Sequence, residues 1–554
     1  MRFFNRPLSL LLAGLAAVSA QAQNDEVKVH GSIQSDILLP EVDNKIGTGE
    51  YAHDVLTNTY VDLNASYKQL EVGARLEYME QPLPGFEPEF AGWGVPHVYL
   101  KWTSKDVDVT LGDFYDQFGS GLIFRAYEER SLGIDNAIRG ARVNVNAIKG
   151  MRLKALGGVQ RRYWDWDKDS WLVGGDLEVS LDQYSQALRD KNVAWTIGGS
   201  YVMQKYEDDN EKIYADGTNY ILNLPSSVHA FDVRTNLSVG NYSLLAEYAW
   251  RSQDPSADNG YIYRRGSAVM LSASYSSKGV SALIQAKRSE DMAFRSQRHL
   301  QGTAAFINNM PAFAYQHTYS LPALYPYATQ AAPGEWAFQG EFGYTFKKHT
   351  PLGGKYGTKM KLNVSHIRGL DKKPVAPLNG TSLKGTEGYS TSFFGMGDLY
   401  YQDINVQMEK KVSKEFKLNL MYMNQRYDKT VIEGGEGGVV KTNVAVAEGK
   451  YQFNKKFTLR SELQYLWTKQ DEGDWAYGLL ELSALPYLMF TVSDMWNVGE
   501  TDIHYYMASV TGTYKAHRLM LGYGRTRAGY NCSGGVCRYV PASKGLNVSY
   551  NYTF

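Results

Sequence analysis

Apolar and polar residues alternate one by one along most of the chain. Val61, Leu63, Ala65 and Tyr67 share one face of an extended segment; Tyr60, Asp62, Asn64 and Ser66 share the other. Val72, Ala74, Leu76 and Tyr78 oppose Glu71, Gly73, Arg75 and Glu77 in the same way. The pattern returns where Phe231, Val233, Leu237 and Val239 face away from Asp232, Arg234, Asn236 and Ser238. It returns again where Leu459, Leu463, Tyr465 and Trp467 oppose Arg460, Glu462 and Gln464. A period of two predicts β-strands. Most runs last about 9–13 residues, the span a tilted strand needs to cross hydrocarbon, whereas soluble strands average about 5–6. The apolar faces are therefore expected to meet lipid and the polar faces an enclosed lumen.

The connections alternate too. Short ones fall at Lys68-Gln69, Ser104-Lys105, Lys149-Gly150, Gly240-Asn241, Ser277-Lys278, Ser413-Lys414, Asn454-Lys455 and Ala516-His517. Long ones cover 40–53, 82–94, 115–137, 207–226, 253–264, 289–335, 368–393, 429–438 and 530–540. Short turns on one side and long loops on the other are the habit of outer-membrane barrels. Counting with that alternation predicts an all-β, antiparallel up-and-down transmembrane barrel of about 24 strands, within 22–26, with long outer loops folding over or into the lumen. An even count places both termini on the periplasmic side.

Composition narrows the choice without changing it. The chain has 554 residues with 44% hydrophobic and 21% charged, and the apolar runs are too short for a bundle of transmembrane helices. Its 41 Tyr, 21 Phe and 11 Trp argue against disorder. The 58 basic and 58 acidic residues cancel, leaving no footprint of a nucleic-acid partner. Two cysteines cannot build a zinc cluster or a disulfide scaffold, so no metal or other cofactor is expected.

The N-terminus reads as an address. Arg2 and Arg6 precede a short apolar run from Leu8 to Val18, and Ala20-Gln21-Ala22 supplies a small-residue cleavage pattern. Residues 1–22 are expected to be a signal peptide and 23–554 the barrel. Strand-like sequence begins at Val27, which leaves no room for a plug domain of the kind that TonB-dependent transporters carry. At the other end Val548, Tyr550, Tyr552 and Phe554 alternate with Asn547, Ser549, Asn551 and Thr553. A final strand ending in Phe554 resembles the signal read by outer-membrane assembly machinery.

Three further stretches, LGDFYDQFGSGLIFRAYEERSLGIDN (111–136), NNMPAFAYQHTYSLPALYPYATQ (308–330) and CSGGVCRYVPAS (532–543), resemble a largely uncharacterised family of bacterial outer-membrane, porin-like β-barrels. The resemblance implies an outer-membrane location, with lipid as its surroundings, and brings no assigned substrate or catalytic residue.

Two long loops carry the candidate chemistry. The stretch around 115–137 combines an elbow, Gly119-Ser120-Gly121, with charges of both signs: Asp113, Asp116, Glu128 and Glu129 against Arg125, Arg130, Arg139 and Arg142. Folded inward, such a loop narrows a pore and sets a transverse field; left outside, its charges are merely solvated. Leu122, Ile123, Phe124 and Tyr127 need burial, which favours the inward arrangement. The 289–335 loop, about 47 residues, interleaves Phe313, Tyr315, Tyr319, Tyr325, Tyr327 and Trp336 with Pro311, Pro322, Pro326 and Pro333. Aromatic rows can stack on sugars, plug a lumen or simply pack against neighbouring loops.

Cys532 and Cys537 enclose Ser-Gly-Gly-Val, a spacing that permits a disulfide at the exposed tip of the last outer hairpin. Catalysis finds little footing: neither His299 nor His317 sits in a triad or metal spacing, and Gly119-Ser120-Gly121 is not a nucleophile elbow. The chain is not expected to be an enzyme.

Polar faces bearing Arg75, Glu77, Arg139, Arg142, Lys154, Arg234, Glu247, Lys359, Lys361, Arg460 and Glu462 suit a wet interior. They suit two functions. One is a porin-like channel for small polar or sugar-like solutes with an inward constriction loop. The other is a plugged, non-conducting barrel serving as a subunit of an outer-membrane assembly or secretion complex, with a lipoprotein or second barrel as partner.

Overall fold

A computed structural model describes residues 27–554 apart from 167, 168, 208, 209, 216, 379 and 381; the signal segment 1–22 lies outside the described residues. The chain folds into a closed antiparallel barrel of 24 strands. Closure is made by the ends of the sequence. The first strand, Val27–Pro40, pairs with Leu56–Tyr67 along one edge and with the last strand, Ser543–Thr553, along the other. No edge of the main sheet is left to seek water, the condition for crossing hydrocarbon with strands.

The two faces are inverted relative to a soluble protein. Ile284 and Leu463, each 69% exposed, stand on the outside with Val72, Leu100, Val233, Leu271, Leu480 and Leu521, all exposed apolar side chains. On the inner face Asn363, Ser365, Asp403, Asn405 and Thr442 are fully buried. Many inward polar groups answer one another: Arg234 lies between Asp176 and Asp232, and Ser200 donates to Asp176 at 2.7 Å. Pairing is what makes buried charge tolerable.

The hydrophobic core is not between layers but inside the lumen. Leu122, Ile123, Phe124, Phe294, Ile307 and Leu321 from two long loops pack with wall residues Val202, Val228, Val444 and Leu466. All four wall residues lie toward the long-loop end of their strands. Both described chain ends lie at the opposite, short-turn end, since Val27 faces Tyr67 beside the Lys68-Gln69 turn.

Two strands run further than their alternation suggests. Residues 368–393 read as a single loop, yet Thr358–Pro374 and Tyr389–Lys411 continue into nearly half of it as paired strands. The register slips between Leu370 and Lys372, whose partners are Met396 and Thr391. Four residues, Ser392 to Gly395, therefore bulge out against Asp371. Such a bulge interrupts the period of two, which hides the strand from pattern reading.

Candidate functional site

Segment 115–137 turns inward from the end of strand Val107–Phe114. Its Gly119-Ser120-Gly121 elbow requires glycine at both ends: φ is +49° at Gly119 and +91° at Gly121, and a Cβ at Gly119 would stand 2.7 Å from the Glu247 carboxylate. Glu247, on strand Tyr242–Arg251, accepts from the Ser120 N–H at 3.1 Å, so the wall grips the elbow through its backbone. Phe118, Leu122, Ile123 and Phe124 are fully buried beyond it. At about 2 kcal/mol for each buried large apolar side chain, they bind the segment firmly.

The charged candidates fall into three groups. Asp116 is held by Lys154 at 2.5 Å and by Arg142 at 3.3 Å, both on the wall. Glu128 joins Arg75 at 2.9 Å and Arg130 at 2.6 Å, and Arg130 reaches Asp62 at 3.0 Å. Asp135 is clamped between Arg75 and Arg161. Burial opposes its ionisation, but Arg161 and Arg75 outweigh that and hold the carboxyl below its ordinary range. Burial pushes Glu128 up in spite of its two arginines. These charges bolt the segment to the wall, and Arg75, Asp113, Glu128, Arg130 and Arg142 also line a cavity of about 500 Å³ beside it.

The remaining candidates do other work. Asp113 accepts from the Val98 N–H at 2.7 Å and from Arg139, bridging the wall where strands Gly92–Thr103 and Val107–Phe114 stop pairing. The pair staples strand Val107–Phe114 to strand Ile138–Val145 within the wall. Arg125 stacks on Tyr127, 4.2 Å from the ring centre, and Glu129 accepts from the Ser131 N–H to cap a short turn.

The long aromatic loop, 291–334, also runs through the lumen. It is anchored to strand after strand: the Tyr315 N–H donates to Ser365 Oγ at 3.0 Å, His317 Nε2 meets Asp403 at 2.5 Å, and the Leu321 N–H donates to Gln464 at 2.8 Å. Gln425 donates to the Tyr325 carbonyl at 3.1 Å. Phe313, Tyr325 and Tyr327 are buried; Tyr325 donates to Asp471 and Tyr327 to Glu335. Tyr315 and Tyr319 stay half-buried, Tyr319 at the edge of a cavity. Trp336, grouped with this loop by sequence, belongs instead to strand Glu335–Phe346 and stacks on Phe338 at 5.5 Å.

The two segments are joined to each other. Asn308 Nδ2 donates to the carbonyls of Leu122 at 2.8 Å and Met292 at 2.7 Å, and its Oδ1 accepts from the Phe294 N–H. The Arg125 N–H donates to the Ile307 carbonyl at 2.7 Å, and Asn136 Nδ2 to the Phe306 carbonyl at 2.9 Å. Pattern reading found both segments and put Glu247 on the polar wall face, but missed the fastening roles of Asn308, Asn136 and Glu247. Single amides and carboxylates that satisfy distant backbone have no local signature.

A third element covers the pair. Strands Gly529–Ser533 and Val536–Val540 form a hairpin closed by the Cys532–Cys537 disulfide. Its tip is not the free loop tip expected from sequence. Gly535 is buried and its carbonyl accepts from the Thr329 N–H at 2.9 Å, while Arg538 donates to the Leu132 carbonyl at 2.6 Å. The hairpin thus touches both inner segments. Among the described residues no group of three or more His, Cys, Asp or Glu could hold a metal ion.

Comparison with known proteins gives distant likenesses and one family. No curated protein matches it. Among solved structures it is similar to a mutant ferric enterobactin receptor, PfeA, from Pseudomonas aeruginosa, at 10% identity over 95% of this chain and 80% of that one, with a TM-score of 0.42. It is similar to the P pilus usher PapC translocation pore at 9% identity over 96% and 98%, TM-score 0.41. A third likeness is OccAB3 from Acinetobacter baumannii, at 8% identity over 95% and 99%, TM-score 0.34. Likenesses this distant carry no argument about what the chain does. A family model matches residues 4–554, and the chain belongs to the Family of unknown function (DUF6029).

Proposed function

We propose that this protein is an outer-membrane barrel closed at rest by its own loops, which passes small polar solutes only when those loops are displaced. The observation that carries this is the seam between Asn308 and Leu122, set inside a buried apolar cluster in the lumen. A standing aqueous pore has little use for fully buried Phe118, Ile123 and Leu321 in its interior. The paired charges around Asp116, Glu128 and Asp135 act as fasteners on this account, not as a transverse field. The termini are assigned to the periplasm, where short turns belong. The account contains no catalytic step.

The test is a lock across the seam. Arg125 and Ile307 are bonded through their backbones, so R125C and I307C together should cross-link on mild oxidation. Uptake of small polar solutes into proteoliposomes is expected to stop on oxidation and return on reduction. Uptake that ignores the lock would contradict a path gated by these segments.

A second account, a plugged barrel that serves as a docking subunit, is favoured by the Ser392–Gly395 bulge. Phe394 is 78% exposed there beside exposed Phe393. A stoichiometric companion after gentle extraction, lost in F393S/F394S, would support it.

A further inference from the structure

The lumen wall gains amides and hydroxyls along its second half. Beneath segment 115–137 it is ionic, with Arg75, Arg142, Lys154 and Arg234 each paired to carboxylates. Beneath segment 291–334, ion pairs such as Lys361–Glu341 and Arg460–Glu462 alternate with amides and hydroxyls that hand hydrogen bonds along the wall. Gln285 donates to Ser272 at 3.1 Å, Gln339 to Asn363 at 3.3 Å, and Gln407 to Asn405 at 3.0 Å. Such a wall offers donors and acceptors in near-equal number and little net charge.

A cavity of about 450 Å³ lies between this wall and the inner segment at Thr318 and Tyr319. That is room for a small ligand. Ser281 and Gly343 leave the wall recessed there, and Gln407 and Asn419 border the space. The charges present are spoken for: Lys361 pairs with Glu341 at 2.7 Å, and Glu409 with Lys359 and Lys417. Asn419 spends its Nδ2 on Glu448 at 2.7 Å, but its buried Oδ1 has no partner within the protein. An orphaned buried acceptor is costly and calls for a donor.

We infer that this cavity is a binding site for a neutral polyhydroxylated solute, a saccharide unit whose CH face lies on the Tyr319 ring and whose hydroxyls bond Gln407 and the free Asn419 oxygen. An aromatic face with planar amides at its edge matches a pyranose, which is apolar above and below and polar at its rim. A free anion or cation would meet charges already neutralised by neighbours. The inference rests on the proposal that segment 291–334 is seated in the resting lumen, because that segment supplies Tyr319.

Equilibrium binding of maltotriose, xylotriose and chitotriose to the detergent-solubilised full chain tests it, with citrate and arginine as charged comparators. Saturation-transfer NMR reads contact, and titration reads affinity. At least one trisaccharide is expected to bind and both comparators to fail. Y319A should weaken binding about three- to tenfold while Y319F, which keeps the ring, should not. N419L should weaken it as well, and retention of the heat-modifiable folded band on gels would show that each variant still forms a barrel. Three silent trisaccharides, tighter citrate or arginine, or equal affinity in folded Y319A and N419L would each overturn the assignment. Binding is read without conduction, so an open pore that still binds sugar would fail the resting-closure proposal alone.

Discussion

The side-chain amide of Asn308 donates to the backbone carbonyl of Leu122 at 2.8 Å, across 186 residues of sequence. The bond joins the two longest inward excursions of the chain at a point where neither touches water. Asn308 also serves Met292 and Phe294 of its own segment. One side chain therefore holds the shape of one segment and its seam with the other.

Replacing Asn308 should open that seam without harming the wall. Asn308→Ala leaves the Leu122 and Met292 carbonyls and the Phe294 N–H unpaired in a buried site, at about 1–3 kcal/mol for each group that finds no substitute. Limited proteolysis is expected to cut segments 115–137 and 291–334 in the variant, while the thermal unfolding of the barrel stays within a few degrees of native.

Arg161 should matter more than any exposed charge. It is almost fully buried and answers both Glu77 and Asp135. Arg161→Met leaves two buried carboxylates short of a partner, a loss of about 3–5 kcal/mol for breaking a buried pair from one side. The variant should release 115–137, read as faster amide exchange there. Arg152→Met, removing a half-exposed partner of Glu178, should change nothing measurable.

Acidity should act on Asp291 and Asp135 in opposite directions. Burial pushes the Asp291 carboxyl up to about 6, against the pull of Arg251 and Asn259 and with the help of nearby Asp254; Lys372 also faces it. A raised carboxyl costs nothing below about pH 4, where it is protonated docked or free. Docking of 291–334 therefore weakens as pH rises from about 4 to 6 and then levels. Asp135 is held below its ordinary range, so its contribution is present above about pH 4 and lost below it. Exchange corrected for intrinsic rate should rise roughly tenfold near 291–300 between pH 4.5 and 6.5. Around Asp135, at 134–137, it should rise below about pH 4, whereas the Glu128 carboxyl, pushed up by burial, loosens its own stretch as pH rises.

Reduction of Cys532–Cys537 should loosen the cover rather than the plug. The small ring constrains its loop by about 2 kcal/mol in the chain-entropy account. C532S/C537S is expected to raise exchange in 529–540 and at Thr329, whose N–H the hairpin holds, and to leave Phe118 to Phe124 protected.

The barrel was legible because lipid enforces a strict rule. Every outward position must be apolar and every strand must cross, so Val72, Leu463 and Tyr552 announce their faces one residue at a time. The inward segments were legible as segments, since Leu122 to Phe124 and the aromatic loop carry more apolar surface than an outer loop can leave exposed. Their fastening was not. Whether Asp116 faces a solute or Lys154 depends on a register between elements 38 residues apart, and composition is blind to it. The Asp113–Arg139 staple shows the same blindness locally: a charge that completes a broken ladder looks, in sequence, like a charge in a pore.

Single-channel conductance in a planar bilayer, comparing the native chain with one lacking 120–134, addresses resting closure most directly. Closure by the inner segments predicts a native barrel that is silent or opens only in brief, small events. It predicts large, steady ohmic steps once the residues that bond Glu247 and Asn308 are gone. Large steady steps from the native chain, unchanged by the deletion, would mean that the lumen is open and the segments do not close it.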